Sequence, residues 1–234
     1  MPGMHSIPAM KGYRAVELSH DLISGEELYK LEVHNRPVDE LQPGYPHPPG
    51  VWYIMSEVEL WSHVGTHMEA PYHYIKDGAD ISQIPLQQVV GECVLIDCGH
   101  RGVGEPITLE DTRERGGAIR EGDIVFVRTG LSYNYRTPYS RNRPYMAEDA
   151  VRWLVEERRI ACLGVDCSGI EKRGSPRQPN HEMLFSHGVP LIEHLAHLER
   201  VPEGRCFVVA VPWRVHQLEA SPVSVVAFIP EEAL

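Results

Sequence analysis

The chain has 234 residues, 42% hydrophobic and 24% charged, with 33 acidic against 22 basic side chains and a formal net charge of -11. These values fit one globular domain, 1–234, with enough chain to bury a core, and they exclude a fibrous repeat or a disordered polymer. The negative surplus repels phosphate backbones and anionic lipid, so neither nucleic acid nor a membrane is an expected partner.

Ala15 to Leu18 reads as a short strand that leads into the polar turn Ser19-His20-Asp21. Between Arg36 and Gly50 the chain is dense in proline and glycine, which predicts a long ordered loop without regular structure. Val51 to Trp61 alternates and reads as a strand, and a histidine-rich segment begins two residues later. Four runs rich in valine and isoleucine, Cys93 to Asp97, Asp123 to Arg128, Ile160 to Asp166 and Cys206 to Val211, read as buried strands, and Pro222 to Ile229 reads as another.

Helices are fewer. Thr108 to Arg115 opens on a capping threonine with Asp111 three residues on and stops at Gly116-Gly117. Ala147 to Arg158 places Ala150, Val151, Leu154 and Val155 on one face, and a short helix is expected from Asn180 as N-cap to Gly188. No run reaches the roughly 18 apolar residues of a bilayer span, and Met1-Pro2-Gly3-Met4-His5 opens neither a signal nor a transit peptide, so a cytoplasmic location is expected. The five cysteines form no C-x-x-C pair and lie mostly in apolar runs, as reduced core thiols do.

The chemistry concentrates in His63-Val64-Gly65-Thr66-His67-Met68-Glu69-Ala70-Pro71-Tyr72-His73. Three imidazoles and one carboxylate within eleven residues are a ligand set for zinc, manganese or iron, and three protein ligands leave a position open for water. Gly65 lets the backbone turn, Thr66 bonds locally, and Pro71 stiffens the exit. The aromatic side chains Trp52, Trp61 and Tyr72 are candidates to wall a pocket for a flat substrate. On spacing alone a closed structural metal site stays open as a rival. A serine hydrolase is disfavoured, because no G-x-S-x-G elbow occurs.

This segment resembles the H-x-G-T-H-x-D-x-P-x-H signature of the cyclase family, which includes bacterial kynurenine formamidases and isatin hydrolases. Gly164-Val165-Asp166, followed by Asn180-His181-Glu182-Met183-Leu184 and Pro190-Leu191-Ile192-Glu193-His194-Leu195, is similar to the family's downstream metal-binding region. The resemblance implies a swivelling β/β/α-type α/β fold, strand-rich, with a mixed sheet and few helices. It also implies that His63, His67 and Glu69 bind a divalent metal, zinc or manganese, as one or two ions per subunit, and that His181 and Glu193 complete the site or hold a second ion. His73 would be the proton shuttle, and Asp166 a supporting group at a strand end. The implied activity is hydrolysis of an aryl amide such as N-formylkynurenine, or of another cyclic amide, imide or lactone, by a homodimer or homotetramer. One position departs from the signature: Glu69 stands where the family usually has aspartate, and its extra methylene gives the carboxylate more reach.

Overall fold

A computed structural model describes residues 4–6 and 11–231. Its strands are β1 Met4–Ser6, β2 Tyr13–Glu17, β3 Leu31–Pro37, β4 Ile54–Leu60, β5 His67–Glu69, β6 Val90–Asp97, β7 Pro106–Ile107, β8 Ile124–Arg128, β9 Tyr145–Met146, β10 Cys162–Val165, β11 Leu191–Glu193, β12 Gly204–Pro212 and β13 Ala220–Pro230. The α-helices are α1 Val38–Leu41, α2 Leu86–Val89, α3 Leu109–Arg115, α4 Glu148–Arg152 and α5 Pro179–Ser186.

One mixed sheet runs in the order β1-β2-β13-β12-β6-β8-β10-β11-β5, and β13 pairs again with β5 through Ala220 opposite Glu69. That second pairing closes a barrel-like ring from β13 round to β5. Strands β6, β8, β10 and β11 lie parallel to their neighbours in this series. Parallel strands are covered on both faces, which is why these segments are continuous apolar runs. Their alternate residues feed two cores: Cys93, Leu95, Phe126 and Ile192 point into the ring, while Val94, Ile96, Val127 and Leu191 point outward against Leu154, Leu184 and Phe185.

This alternation positions the chemistry. Met68 of β5 and Ile192 of β11 belong to the inner core. Successive strand side chains face opposite sides, so His67, Glu69 and Glu193 stand on the outer face of two paired strands, with Glu69 opposite Leu191 and His67 opposite Glu193.

The expected strands all form within a few residues, and all five cysteines are free and buried. Helix α3 carries the capping box of Thr108 and Asp111 and ends at Gly116. Helix α4 presents its expected buried face and continues through a π-helical turn, Trp153–Glu157. Three details differ. Asn180 is not an N-cap: Pro179 opens α5 after Gln178, and the buried Asn180 amide donates instead to the carbonyls of Met146 and Ile170. The proline-rich stretch is not wholly irregular, because Pro37 ends β3 and Val38–Leu41 forms one helical turn with Asp39 and Glu40 at its positive end. Finally, β4 pairs with β3 in a two-stranded hairpin that the sequence reading lacked. Among the described residues no helix is long and apolar enough to cross a membrane.

Candidate metal centre

The segment from His63 to His73 folds back on itself by local devices. Gly65 adopts a positive φ of 68°, and a Cβ there would collide with Leu22. Thr66 does not bond locally as expected. Its hydroxyl donates to the His194 carbonyl at 2.6 Å and accepts from the His20 amide at 3.0 Å, tying the turn to a distant strand end. Pro71 opens a 3-10 turn, Pro71–His73, whose His73 amide donates to the Ala70 carbonyl at 2.9 Å.

These turns bring the imidazoles together around Glu69. His63 Nδ1 lies 3.1 Å from His67 Nε2 and 3.0 Å from Glu69 Oε1. His67 Nε2 is 3.5 Å from Glu69 Oε1 and 3.9 Å from Glu193 Oε2. From α5, His181 Nε2 comes within 3.4 Å of Glu69 Oε2. His73 Nε2 stands farther out, 3.9 Å from Glu69 Oε1. Two donor sets result, His63 with His67 and Glu69, and Glu69 with His181 and Glu193, each with its ligand atoms within 4.8 Å of one another. Glu69 belongs to both.

Three of the imidazoles are aimed by a group behind them. His67 Nδ1 donates to the Gly65 carbonyl at 2.9 Å, leaving Nε2 as the lone pair that faces the cluster. His181 Nδ1 donates to Glu171 Oε1 at 2.9 Å, and the same oxygen accepts the amides of Asn180 and His181. Glu219 lies 3.5 Å from His63 Nε2 and accepts from the Ser62 hydroxyl. Asp166, at the end of β10, accepts from the Thr129 amide and hydroxyl and the Gly130 amide, and so pins a neighbouring loop.

The electrostatics match a cation in the middle. Glu69 and Glu193 are both buried, and Glu69 Oε2 makes no hydrogen bond, with His181 Nε2 standing 3.4 Å away. A desolvated carboxylate oxygen without a proton donor is costly unless something positive reaches it. Burial alone would raise the Glu69 carboxyl, but His181, His63 and His67 hold it well below the usual carboxylate range. Burial, and then the charge of Glu69, pushes Glu193 up. His181 is opposed by burial, yet Glu171 and Glu69 raise it to about 10. Burial lowers His73, and the neighbouring His63 and His181 reinforce the shift. Imidazoles and carboxylates in two overlapping sets are the donor chemistry of one or two divalent cations, whose binding would displace the imidazole protons.

The cluster lies in a cavity of about 460 Å³, whose wall includes Trp61, Tyr29, Arg143, Ser168 and His194. A family described as "Putative cyclase" matches residues 16–172, more than half of the chain. The chain belongs to this family. Among its relatives, the kynurenine formamidase of Paracidovorax citrulli is 31% identical over 75% of this chain and 80% of that protein. A predicted metal-dependent hydrolase from Bacillus stearothermophilus is 32% identical, covering 92% of this chain and 98% of that one with a TM-score of 0.73. Isatin hydrolase A from Labrenzia aggregata, solved with benzyl benzoate, is 25% identical and covers 96% of each chain with a TM-score of 0.79.

Within this cyclase-family chain the structure brings His63, His67, Glu69, His73, His181 and Glu193 to one cavity wall. Of the three aromatics expected there, Trp61 lines the cavity, its ring 5.9 Å from that of Tyr29. Trp52 is 82% exposed ahead of β4, and Tyr72 faces solvent; neither lines it. Sequence reasoning missed Tyr29, Glu171 and Glu219. Glu171 and Glu219 are reached only through the start of α5 and the pairing of β13 with β5, and no local spacing marks them.

Proposed function

We propose that this protein is a metal-dependent hydrolase of a carbon-nitrogen amide bond, with arylformamidase-like activity on N-formylkynurenine or a similar aryl amide. The observation that carries the reading is Glu69: one buried carboxylate, with an unpartnered oxygen, shared by two His and Glu donor sets. His63, His67 and Glu69 would hold a divalent metal, zinc or manganese, and His181 with Glu193 would complete the site or hold a second ion. The overlap of the two sets at Glu69 supports the two-ion form.

When bound, such a cation supplies Lewis acidity, acidifying water and polarising a carbonyl. His73 stands just outside the donor sets with its ring edge-on to Phe185, 6.2 Å between centroids, and its Nε2 toward Glu69. From there its neutral ring takes a proton from the attacking water and returns it to the leaving nitrogen, which departs as an amine only when protonated. Glu171 keeps His181 Nε2 turned inward, and Glu219 does the same for His63 Nδ1. Trp61 and Tyr29 offer the aryl group an apolar wall.

The deciding assay loads the purified protein with Zn²⁺ or Mn²⁺ and offers N-formylkynurenine and isatin side by side. Hydrolysis of the formamide supports the proposal. Turnover of isatin alone favours a cyclic-amide hydrolase, a reading that the likeness to isatin hydrolase A supports. Full activity in a metal-free preparation would overturn both.

The proposed partner, besides the small-molecule amide or lactam, is a second copy of the chain, in a homodimer or homotetramer. The hairpin β3–β4 supports this: a lone two-stranded ribbon is marginally stable in water, and here Val33 and Val58 face each other across it, both exposed. Sedimentation of a monomer at micromolar concentration would overturn it. A cytoplasmic location is proposed on the five free, buried thiols.

A further inference from the structure

The cavity of the His and Glu cluster does not end at the ligating side chains. It adjoins a second hollow of about 300 Å³, and the two share Tyr29, Ser168, His194, Arg141 and Arg173 as common wall. Arg143 adds a third guanidinium to the inner cavity. The chain as a whole is acidic, with 33 carboxylate side chains against 22 basic ones, so arginines gathered at one opening call for a reason.

Their partners supply it. Many guanidinium groups elsewhere meet carboxylates, among them Arg36 with Glu57 at 2.9 Å, Arg159 with Glu121 at 3.1 Å and Arg205 with Asp123 at 2.7 Å. At the opening they do not. Arg143 is spent on backbone, donating from Nε to the Ser168 carbonyl at 2.7 Å and from Nη1 to the carbonyls of Glu171 at 2.7 Å and Pro144 at 3.2 Å. Arg173 donates from Nη1 to the neutral Asn142 Oδ1 at 3.0 Å. The Arg141 side chain makes no hydrogen bond or ion pair among the described residues. Carbonyl and amide partners orient a guanidinium without neutralising it. Arg143 shares the inner cavity with Glu69, Glu171 and Glu193, but the outer hollow is lined by Arg141 and Arg173 and by no carboxylate, a local reversal of the field that an acidic protein sets up around itself.

We propose that Arg141 and Arg173 form an anion subsite in the outer hollow and that the substrate is an amide carrying a carboxylate, bound there while its scissile bond lies at the His and Glu cluster. The planar five-donor guanidinium fork matches the two oxygens of a carboxylate. Leu28, Tyr29 and Pro138 supply an apolar flank for the carbon frame between the two groups. Arg143, already fixed by three carbonyls, adds its charge without having to move. The inference rests on the amide-hydrolase reading above, and it narrows that reading to anionic amides.

The test compares formanilide with 2-formamidobenzoate, which differ by one ring carboxylate, on the metal-loaded protein. The wild type is expected to favour the carboxylate substrate in kcat/KM by about tenfold or more, the worth of a charge-assisted hydrogen bond. Arg141→Gln and Arg173→Gln should each reduce that ratio and the double variant should bring it near one, while Arg141→Lys, which keeps charge but not the fork, retains part of it. A wild-type ratio of one, or variants that slow both substrates equally, would overturn the subsite. If neither amide is cleaved, the arylformamidase reading fails, and calorimetric titration with benzoate still decides the subsite. Binding that weakens about tenfold in the double glutamine variant supports it. Absence of wild-type binding, or equal affinity in both proteins, rejects it.

Discussion

Burying Glu69 and Glu193 side by side is unfavourable on its own, since each raises the cost of ionising the other. The imidazoles of His63, His67 and His181 compensate in part, but Glu69 Oε2 remains unsatisfied. The site is thus arranged for a ligand that carries positive charge, and the residues divide into those that would hold it and those that aim the holders. His73, 3.9 Å from Glu69 and outside both donor sets, belongs to neither group. His73→Ala is therefore expected to reduce kcat by about 10²- to 10⁴-fold, the range for loss of a general acid-base group, while elemental analysis finds the metal content unchanged. Loss of metal with activity would make His73 a ligand instead. Glu171→Gln tests the aiming. It keeps a group beside His181 Nδ1 but weakens the acceptor, and metal affinity measured by competition with a chelator should fall about 10- to 100-fold. Unchanged affinity would leave Glu171 with only its capping of the Asn180 and His181 amides.

Among the elements, α3 shows how much a local signal can carry. Thr108 and Asp111 form the capping box, and Asp111 also accepts from Arg101 Nε at 2.9 Å and Nη2 at 2.7 Å and faces His100 Nε2 at 3.0 Å. Burial works against that charge, but Arg101, the Thr108 donors and His100 hold the carboxyl well below the usual carboxylate range. A depressed folded-state pKa means that the unfolded chain binds the proton first. The stabilisation is complete above the unfolded value of about 3.9 and is lost as pH falls toward the folded value. Asp111→Asn should cost about 1.5 to 3 kcal/mol at pH 7, and urea midpoints followed from pH 7 to pH 3 should fall less steeply than in the wild type. Parallel midpoint curves would refute the assignment. Strands β6, β8 and β10 were equally legible, because both of their faces are buried and the apolar run is unbroken. Strand β3 was not, since Glu32, His34, Asn35 and Arg36 carry no pattern that marks it until it lies against β4. The same divide runs through the site: eleven consecutive residues announce His63, His67, Glu69 and His73. Glu171, Glu219 and the arginines of the opening join them only through the tertiary fold.

At the scale of the whole molecule, the donors are drawn from segments far apart in sequence. Glu69 lies on β5, Glu193 on β11 and His181 on α5, and β5 is also the strand whose pairing with β13 closes the ring. A cation bridging these groups would cross-link the closure of the sheet to the helix that covers its outer face. The unfolded chain offers no such assembled set, so binding must add to folding stability. At a free metal concentration 100 times Kd the gain is about 2.7 kcal/mol. For a chain of this size that raises Tm by about 5 to 11 °C. Thermal unfolding of chelator-treated protein, with and without added Zn²⁺ or Mn²⁺, measures the shift. The variant Glu69→Ala separates this coupling from nonspecific ion effects, because it deletes the carboxylate common to both donor sets and should abolish the shift whichever set the metal prefers. A shift that survives in Glu69→Ala would place the stabilising metal elsewhere on the molecule and detach the closure of the sheet from the chemistry of the cavity.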